Sequence, residues 1–320
     1  MSTAETQERR TPGLVPVTET MRTAERRPSS APGSSEPAEP SEPAGPPVRL
    51  ASAFWRLLGS ELGLTFRRPR NQVMLAVLAS VPVLIGIALR IASADEAVGG
   101  LIGAVAGNSL MLTFASFSFL VLLLMPIAVS VVGGDSIAGE AGAGTLRYLL
   151  AAPAGRTRLL VVKYLNAVVF GYAITVVVAL SALVTGLILF PVGPVTLLSG
   201  STISVAEGLL RILLTVGYVG AGMAALAAVA VALSTFTEVS IGAIAATMVL
   251  IIVTQVLRAI PQLEAITPYL LPSWWTKFDA VLRSPVDFAG LGQGLLVFGA
   301  YILLFGSIAW ARFSGKDITS

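Results

Sequence analysis

Six runs of apolar residues, each long enough to cross a bilayer, alternate with polar stretches that hold nearly all of the chain's charge. A membrane-spanning helix needs about 20 consecutive, predominantly apolar residues. Runs of that order fall at Gln72–Ile91, Ser109–Val132, Leu160–Phe190, Leu209–Leu233, Val239–Ile260 and Leu291–Ala311. The third is longer than an upright span requires, which predicts a tilt or an extension beyond the bilayer. Ahead of the first run, Leu50, Phe54, Leu58 and Leu62 recur at intervals of four, widened by Trp55 and Leu57. Arg49, Ser52, Arg56 and Ser60 take the other side, so residues 49–71 read as an amphipathic helix lying at the membrane surface. The fold class that follows is an all-α integral membrane protein with six transmembrane helices.

Composition supports this and closes off other classes. Of 320 residues, 55% are hydrophobic and only 12% charged, more apolar surface than a water-soluble domain can hide. There is no cysteine and no histidine, which excludes disulfides, thiolate or imidazole metal sites, and Cys or Ser-His-Asp nucleophiles. A net charge of +3 is too small to point to nucleic acid. Residues 1–48 have a different character, with 9 of the 19 prolines and no aromatic residue. Such a stretch cannot bury enough apolar area to offset chain entropy, so it is expected to be a disordered cytoplasmic tail rather than a secretory signal. The domain plan is therefore a tail at 1–48, an interfacial helix at 49–71 and a six-helix membrane domain at 72–320.

Lys and Arg set the expected orientation. With the N-terminus inside, ten basic residues near the spans fall on the cytoplasmic side and five on the outer side. Arg67, Arg68 and Arg70 form the strongest membrane anchor, and Lys163 is read as another. Both termini are then cytoplasmic, which six spans allow. Arg90, Arg211 and Arg258 lie near span ends, where long side chains snorkel. Glu207 and Arg211 are spaced to pair along one helix face. The fourth span is rich in Gly and Ala from Gly217 to Ala228, a surface suited to close packing in the bundle or in a dimer. Trp274 and Trp275, in the loop after the fifth span, read as anchors at the outer interface, on short helices resting in or dipping into the outer leaflet. The residues expected to face a path are apolar or small, with polar points such as Asn108, Asn166 and Gln255, which would suit an amphipathic or lipid-like molecule.

The segment after the second run carries the most specific pattern. From Asp135 to Lys163 it reads D-x-x-x-x-E-x-x-x-G-T-L-x-x-L-L-x-x-P-x-x-R-x-x-L-L-x-x-K. Leu146, Leu149 and Leu150 make an apolar face, Thr145 can cap a helix turn, and Pro153 with Gly155 breaks the chain before Arg156. These features predict a cytoplasmic helix-turn-helix in which Asp135 and Glu140 meet basic groups of this chain or of a partner.

This segment resembles the type-2 ABC transporter permease family, matching its pattern at Asp135, Glu140, Gly144, Thr145, Leu146, Leu150, Pro153, Arg156, Leu159, Leu160 and Lys163. The six-span layout, the helix before the first span and the Leu-Pro-Ser-Trp element at 271–274 are similar to that family too. The long tail departs from it, as do Ala141, Gly142 and Ala143, where members often carry charge. The resemblance implies a dimeric exporter permease in the plasma membrane, coupled to a separate ABC ATPase subunit that holds the ATP and Mg. Asp135, Glu140, Gly144, Thr145, Leu146, Arg147, Pro153 and Arg156 would then belong to the coupling segment. The residues independently lack a G-x-x-x-x-G-K-[ST] phosphate loop, so this chain has no such means of binding ATP. Two other classes compete. A secondary transporter needs ionisable groups or broken helices near the midplane, and none stands out. An intramembrane enzyme lacks a mid-membrane carboxylate pair.

Overall fold

The computed structural model describes residues 50–93, 108–145, 155–196 and 201–315. The expected tail at 1–48 lies outside the described residues. Helix α1 (Leu50–Arg67) is followed at once by α2 (Pro69–Ala92), with Pro69 in the first turn, where its missing N–H costs nothing. The bent pair α3 (Met111–Leu120) and α4 (Leu124–Gly142) comes next, then the long α5 (Arg156–Leu189). A two-residue antiparallel ribbon, β1 (Val195–Thr196) with β2 (Thr202–Ile203), precedes α6 (Val205–Ser234) and α7 (Ser240–Arg258). Two short 3-10 turns, Pro261–Tyr269 and Thr276–Leu282, flank α8 (Leu271–Trp275), and α9 (Phe288–Ser314) closes the fold.

Five of these helices are long and apolar enough to cross a membrane, and the bent pair makes a sixth if counted as one span. The second apolar run is therefore not the single straight helix its composition predicts, because α3 and α4 meet at 55° across residues 121–123. Pro126 supplies the physical reason. It has no N–H for the carbonyl four residues back, and its ring crowds that carbonyl, which belongs to Leu122. Gln255 of α7 compensates, its Nε2 donating to Leu122 O at 3.4 Å. A freed backbone group in an apolar setting needs such a partner.

Helix α6 is the centre of the bundle, packed by α4, α5, α7 and α9 and buried over most of its length, whereas α2, α7 and α9 leave most of theirs exposed. Its small residues serve packing inside the bundle. A Cβ at Gly222 would lie 2.9 Å from Trp275 Cδ1 and 3.1 Å from Phe298 Cζ. At the end of α6, Ser234 Oγ accepts from the backbone N–H groups of Ile137 and Ala138, tying α6 to α4.

The segment between α7 and α9 folds back between the helices. Tyr218, near the middle of α6, donates to Trp274 O at 2.8 Å, and Tyr301, near the middle of α9, donates to Tyr269 O at 2.8 Å. Arg211 is buried rather than snorkelling. It pairs with Glu207 at 2.7 Å and donates to Val281 O and Arg283 O at 2.6 and 2.8 Å. Arg258 donates to Pro272 O at 3.3 Å. Trp275 is fully buried against Gly222 and Phe298, so it is no interfacial anchor, and Trp274 Nε1–H is held by Pro268 O at 2.7 Å.

A Gly222→Val substitution should therefore lower stability by about 1–3 kcal/mol through overpacking. Gly217→Val on the same helix, whose Cβ meets nothing within 4 Å, is the control. Thermal unfolding in detergent should separate the two; equal melting temperatures would contradict this packing.

Candidate functional site

The charged side chains of the Asp135–Lys163 pattern converge at one end of the bundle. They do so because α4 does not stop at the apolar boundary expected near Val132 but continues through Gly142. Asp135 and Glu140 therefore stand on the last turns of a rigid helix, not on a separate loop helix. Asp135 Oδ2 accepts from Arg68 Nη1 and Arg70 Nη2, both at 2.8 Å, while its Oδ1 accepts from Ser240 Oγ at 2.5 Å. One carboxylate thus joins the α1–α2 junction, the end of α4 and the start of α7. The two arginines remain half exposed, so each contributes little alone.

Lys163 makes the second junction. It was expected at the headgroups, yet it is buried on α5, which at 34 residues is about 51 Å long and outreaches a 30 Å hydrocarbon core. Its Nζ donates to Glu61 of α1 at 2.8 Å and to Glu140 of α4. Close by, Asn166 Nδ2 donates to Thr65 Oγ1 and Asn71 Nδ2 to Thr65 O, both at 2.8 Å. These groups line a polar cavity of about 270 Å³, along with Asn71 Oδ1, Asn166 Oδ1 and Glu140 Oε2, which have no partner among the described residues. Its walls carry three acidic and three basic side chains, a balanced set that holds the helix ends in register.

Gly144 and Thr145 end α4. Gly144 sits at φ +69°, its N–H bonds Ala141 O, and the Thr145 N–H bonds Glu140 O, each at 3.0 Å. This is the Schellman arrangement, and it explains a glycine there. Thr145 Oγ1 adds a bond to the same carbonyl at 3.2 Å. The absence of a side chain at Gly142 also has a local cause: a Cβ there would lie 2.6 Å from Glu238 O, where the chain entering α7 crosses α4. Arg156, opening α5, donates to Ser314 O at 2.9 Å and so joins α5 to the end of α9. Leu146, Arg147 and Pro153 lie outside the described residues. Arg67 is exposed.

Helix α1 seats on α5. Leu58 and Thr65 are buried, Arg158 lies over the Phe54 ring, and Trp55 and Leu64 stay exposed. Its apolar pattern therefore serves the protein as well as any membrane surface. Asn108 and Gln255, singled out as polar points of a path, instead bond backbone carbonyls at Gly193, Pro194 and Leu122, and Asn166 bonds Thr65. The partners Glu61 and Ser240 were missed by the sequence reading. The only signal for Glu61 was an acidic residue on an otherwise basic and apolar helix.

These features define a predominantly helical, multi-pass membrane protein with an ion-paired junction at one end of its bundle. The chain belongs to the family described as Protein of unknown function (DUF2705), whose model matches residues 97–319. No curated protein matches it.

Lys163→Met would leave Glu61 and Glu140 facing each other without their shared cation. It should cost about 3 kcal/mol, seen as a large drop in unfolding temperature, and Glu61→Gln in the same chain should restore part of it. Gly144→Ala, which meets no neighbouring atom, should cost only about 1 kcal/mol for the left-handed backbone. A Lys163→Met chain as stable as the parent in the same unfolding assay would rule out the buried junction.

Proposed function

We propose that this chain is the membrane-spanning permease subunit of an ATP-driven exporter, with six spans, both termini cytoplasmic, in the plasma membrane. Two copies form the substrate path, and a separate ABC ATPase subunit supplies ATP and Mg. The observation that carries this reading is the ion-paired junction. The segment resembling a permease coupling loop leaves α4 at Gly144 and rejoins the bundle at Arg156. At that point Asp135, Glu140 and Lys163 tie α4 to α1, α2, α5 and α7. A push on this segment by a partner would be delivered to five helices at once. Such a push can drive transport only if the partner contacts the segment differently in its two nucleotide states. The basic surroundings, with Arg67, Arg68 and Arg70, support the cytoplasmic assignment of this end. The broken α3–α4 pair gives the bundle a pre-set bend about which it can change shape.

The test is copurification of an ABC ATPase with the full chain from its native membrane, followed by ATP hydrolysis in reconstituted vesicles. Glu140→Ala and Gly144→Pro should insert normally but lose chain-dependent stimulation of hydrolysis on the order of tenfold. Normal stimulation by both variants, at normal expression, would sink the coupling role.

A further inference from the structure

The charges around the polar cavity balance overall but not locally. Arg68 and Arg70, both half exposed, share the single carboxylate of Asp135. Lys163 is the reverse case, one cation shared by the two carboxylates of Glu61 and Glu140. The side chains of Glu61, Lys163 and Glu140 are only 13%, 5% and 21% exposed, so the excess negative charge of this cluster sits largely out of water. The two carboxylates are not equivalent. Glu140 Oε1 accepts from the Lys163 ammonium, while its Oε2 is buried with no donor among the described residues. Asn71 Oδ1 and Asn166 Oδ1, on residues of the same cavity wall, lack a donor as well. This corner is short of hydrogens, not of acceptors.

Removing two carboxylates from water with one cation between them raises the proton affinity of the pair. Glu140 lies about two helical turns beyond the apolar boundary near Val132. Burial pushes its carboxyl above the usual carboxylate range, Lys163 and Arg68 oppose the shift, and Glu61 adds to it. Among the described residues, α1 brings Glu61 to this cavity, the α1–α2 junction Arg68 and Arg70, α4 itself Asp135, and α5 Lys163. Helix α6 brings the Ser234 hydroxyl beside α4, and the chain entering α7 brings Glu238 and Ser240. The place a metal ion would take between the carboxylates is already held by Lys163 Nζ, whereas a proton needs only an oxygen. We propose that the Glu61–Lys163–Glu140 cluster is a proton site. In mild acid a solvent proton forms an O–H bond on Glu140 Oε2 and neutralises the cluster, while Lys163 stays paired with Glu61. The site needs only this chain, so it stands or falls separately from the ATPase partnership.

The experiment is infrared difference spectroscopy of the full-length chain in detergent micelles, with the pH lowered stepwise from neutral. A protonated carboxyl shows a C=O stretch that a carboxylate lacks, and subtracting the Glu140→Gln chain isolates this one. The parent should gain the band at higher pH than its exposed glutamates, such as Glu264, gain theirs. Glu61→Gln removes the like charge, so the Glu140 band should remain but move to lower pH. That shift needs no change at Glu140, so it serves if Glu140→Gln fails to fold. Unfolding temperature gives a second readout. The folded chain holds this proton more tightly than the unfolded one, so the stability it adds is full below the unfolded value and lost as pH rises through the folded one. The parent should therefore lose unfolding temperature relative to Glu140→Gln as pH rises through the midpoint of the band. No band above the range of the exposed glutamates, a band that survives Glu140→Gln, a band that Glu61→Gln leaves in place, or a difference in unfolding temperature that does not vary with pH would each overturn the proposal.

Discussion

In an apolar solvent a backbone carbonyl or amide that leaves its helix must find another partner, and the irregular parts of this bundle are arranged around that requirement. Pro126 takes the partner from Leu122 O, and Gln255 replaces it from a different helix. The folded-back segment between α7 and α9 would expose a series of carbonyls among the spans. Tyr218, Tyr301, Arg211 and Arg258 each reach one or more of them. Those side chains come from α6, α7 and α9, so the same bonds that satisfy the segment also fix the helices around it. Long-range bonds thus add to the local helical turns of the folded-back segment and hold both it and the bend among the helices.

The charged end follows a different logic. Here the helices run past the apolar region, and ions rather than amides connect them. Lys163 is nearly buried, and its attraction to two carboxylates must offset the loss of its hydration. Asp135 is more open, with two half-exposed arginines whose pairing is weak in water. The two junctions therefore differ in stiffness. The α1–α4–α5 junction at Lys163 is costly to break, while the two arginine bonds of Asp135 to the α1–α2 junction can loosen with little loss.

Much of this was legible along the chain. Run length alone located α2, α5, α6, α7 and α9 to within a few residues, because hydrocarbon thickness fixes how much apolar sequence a span needs. The spacing of Asp135, Glu140 and Lys163 marked the right neighbourhood, and the charge pattern foresaw the pairing of Glu207 with Arg211. The partners were harder to see. Asp135 meets Ser240 from 105 residues away, and Lys163 meets Glu61 from 102 residues away. No local period reports such contacts. Hydropathy also misplaced residues whose role depends on neighbours. Arg211 and Trp275 have the composition of interfacial anchors, yet α6 and the folded-back segment enclose both. A scale that scores each residue by its transfer from water cannot know that a carbonyl or a glycine awaits it inside.

Gly222 and Trp275 show how the two halves of the structure depend on each other. The missing side chain at Gly222 lets the indole approach α6 closely enough for Tyr218 to bond the adjacent Trp274 carbonyl. That contact seats the folded-back segment against the middle of α6, with an apolar cleft beneath Trp275. The helix that carries Gly222 is the same one whose far end, through Ser234, holds α4 beside the charged junction. Helix α6 therefore touches both the cleft and the seat of α4, and its burial over most of its length joins the two ends of the bundle into one packed unit.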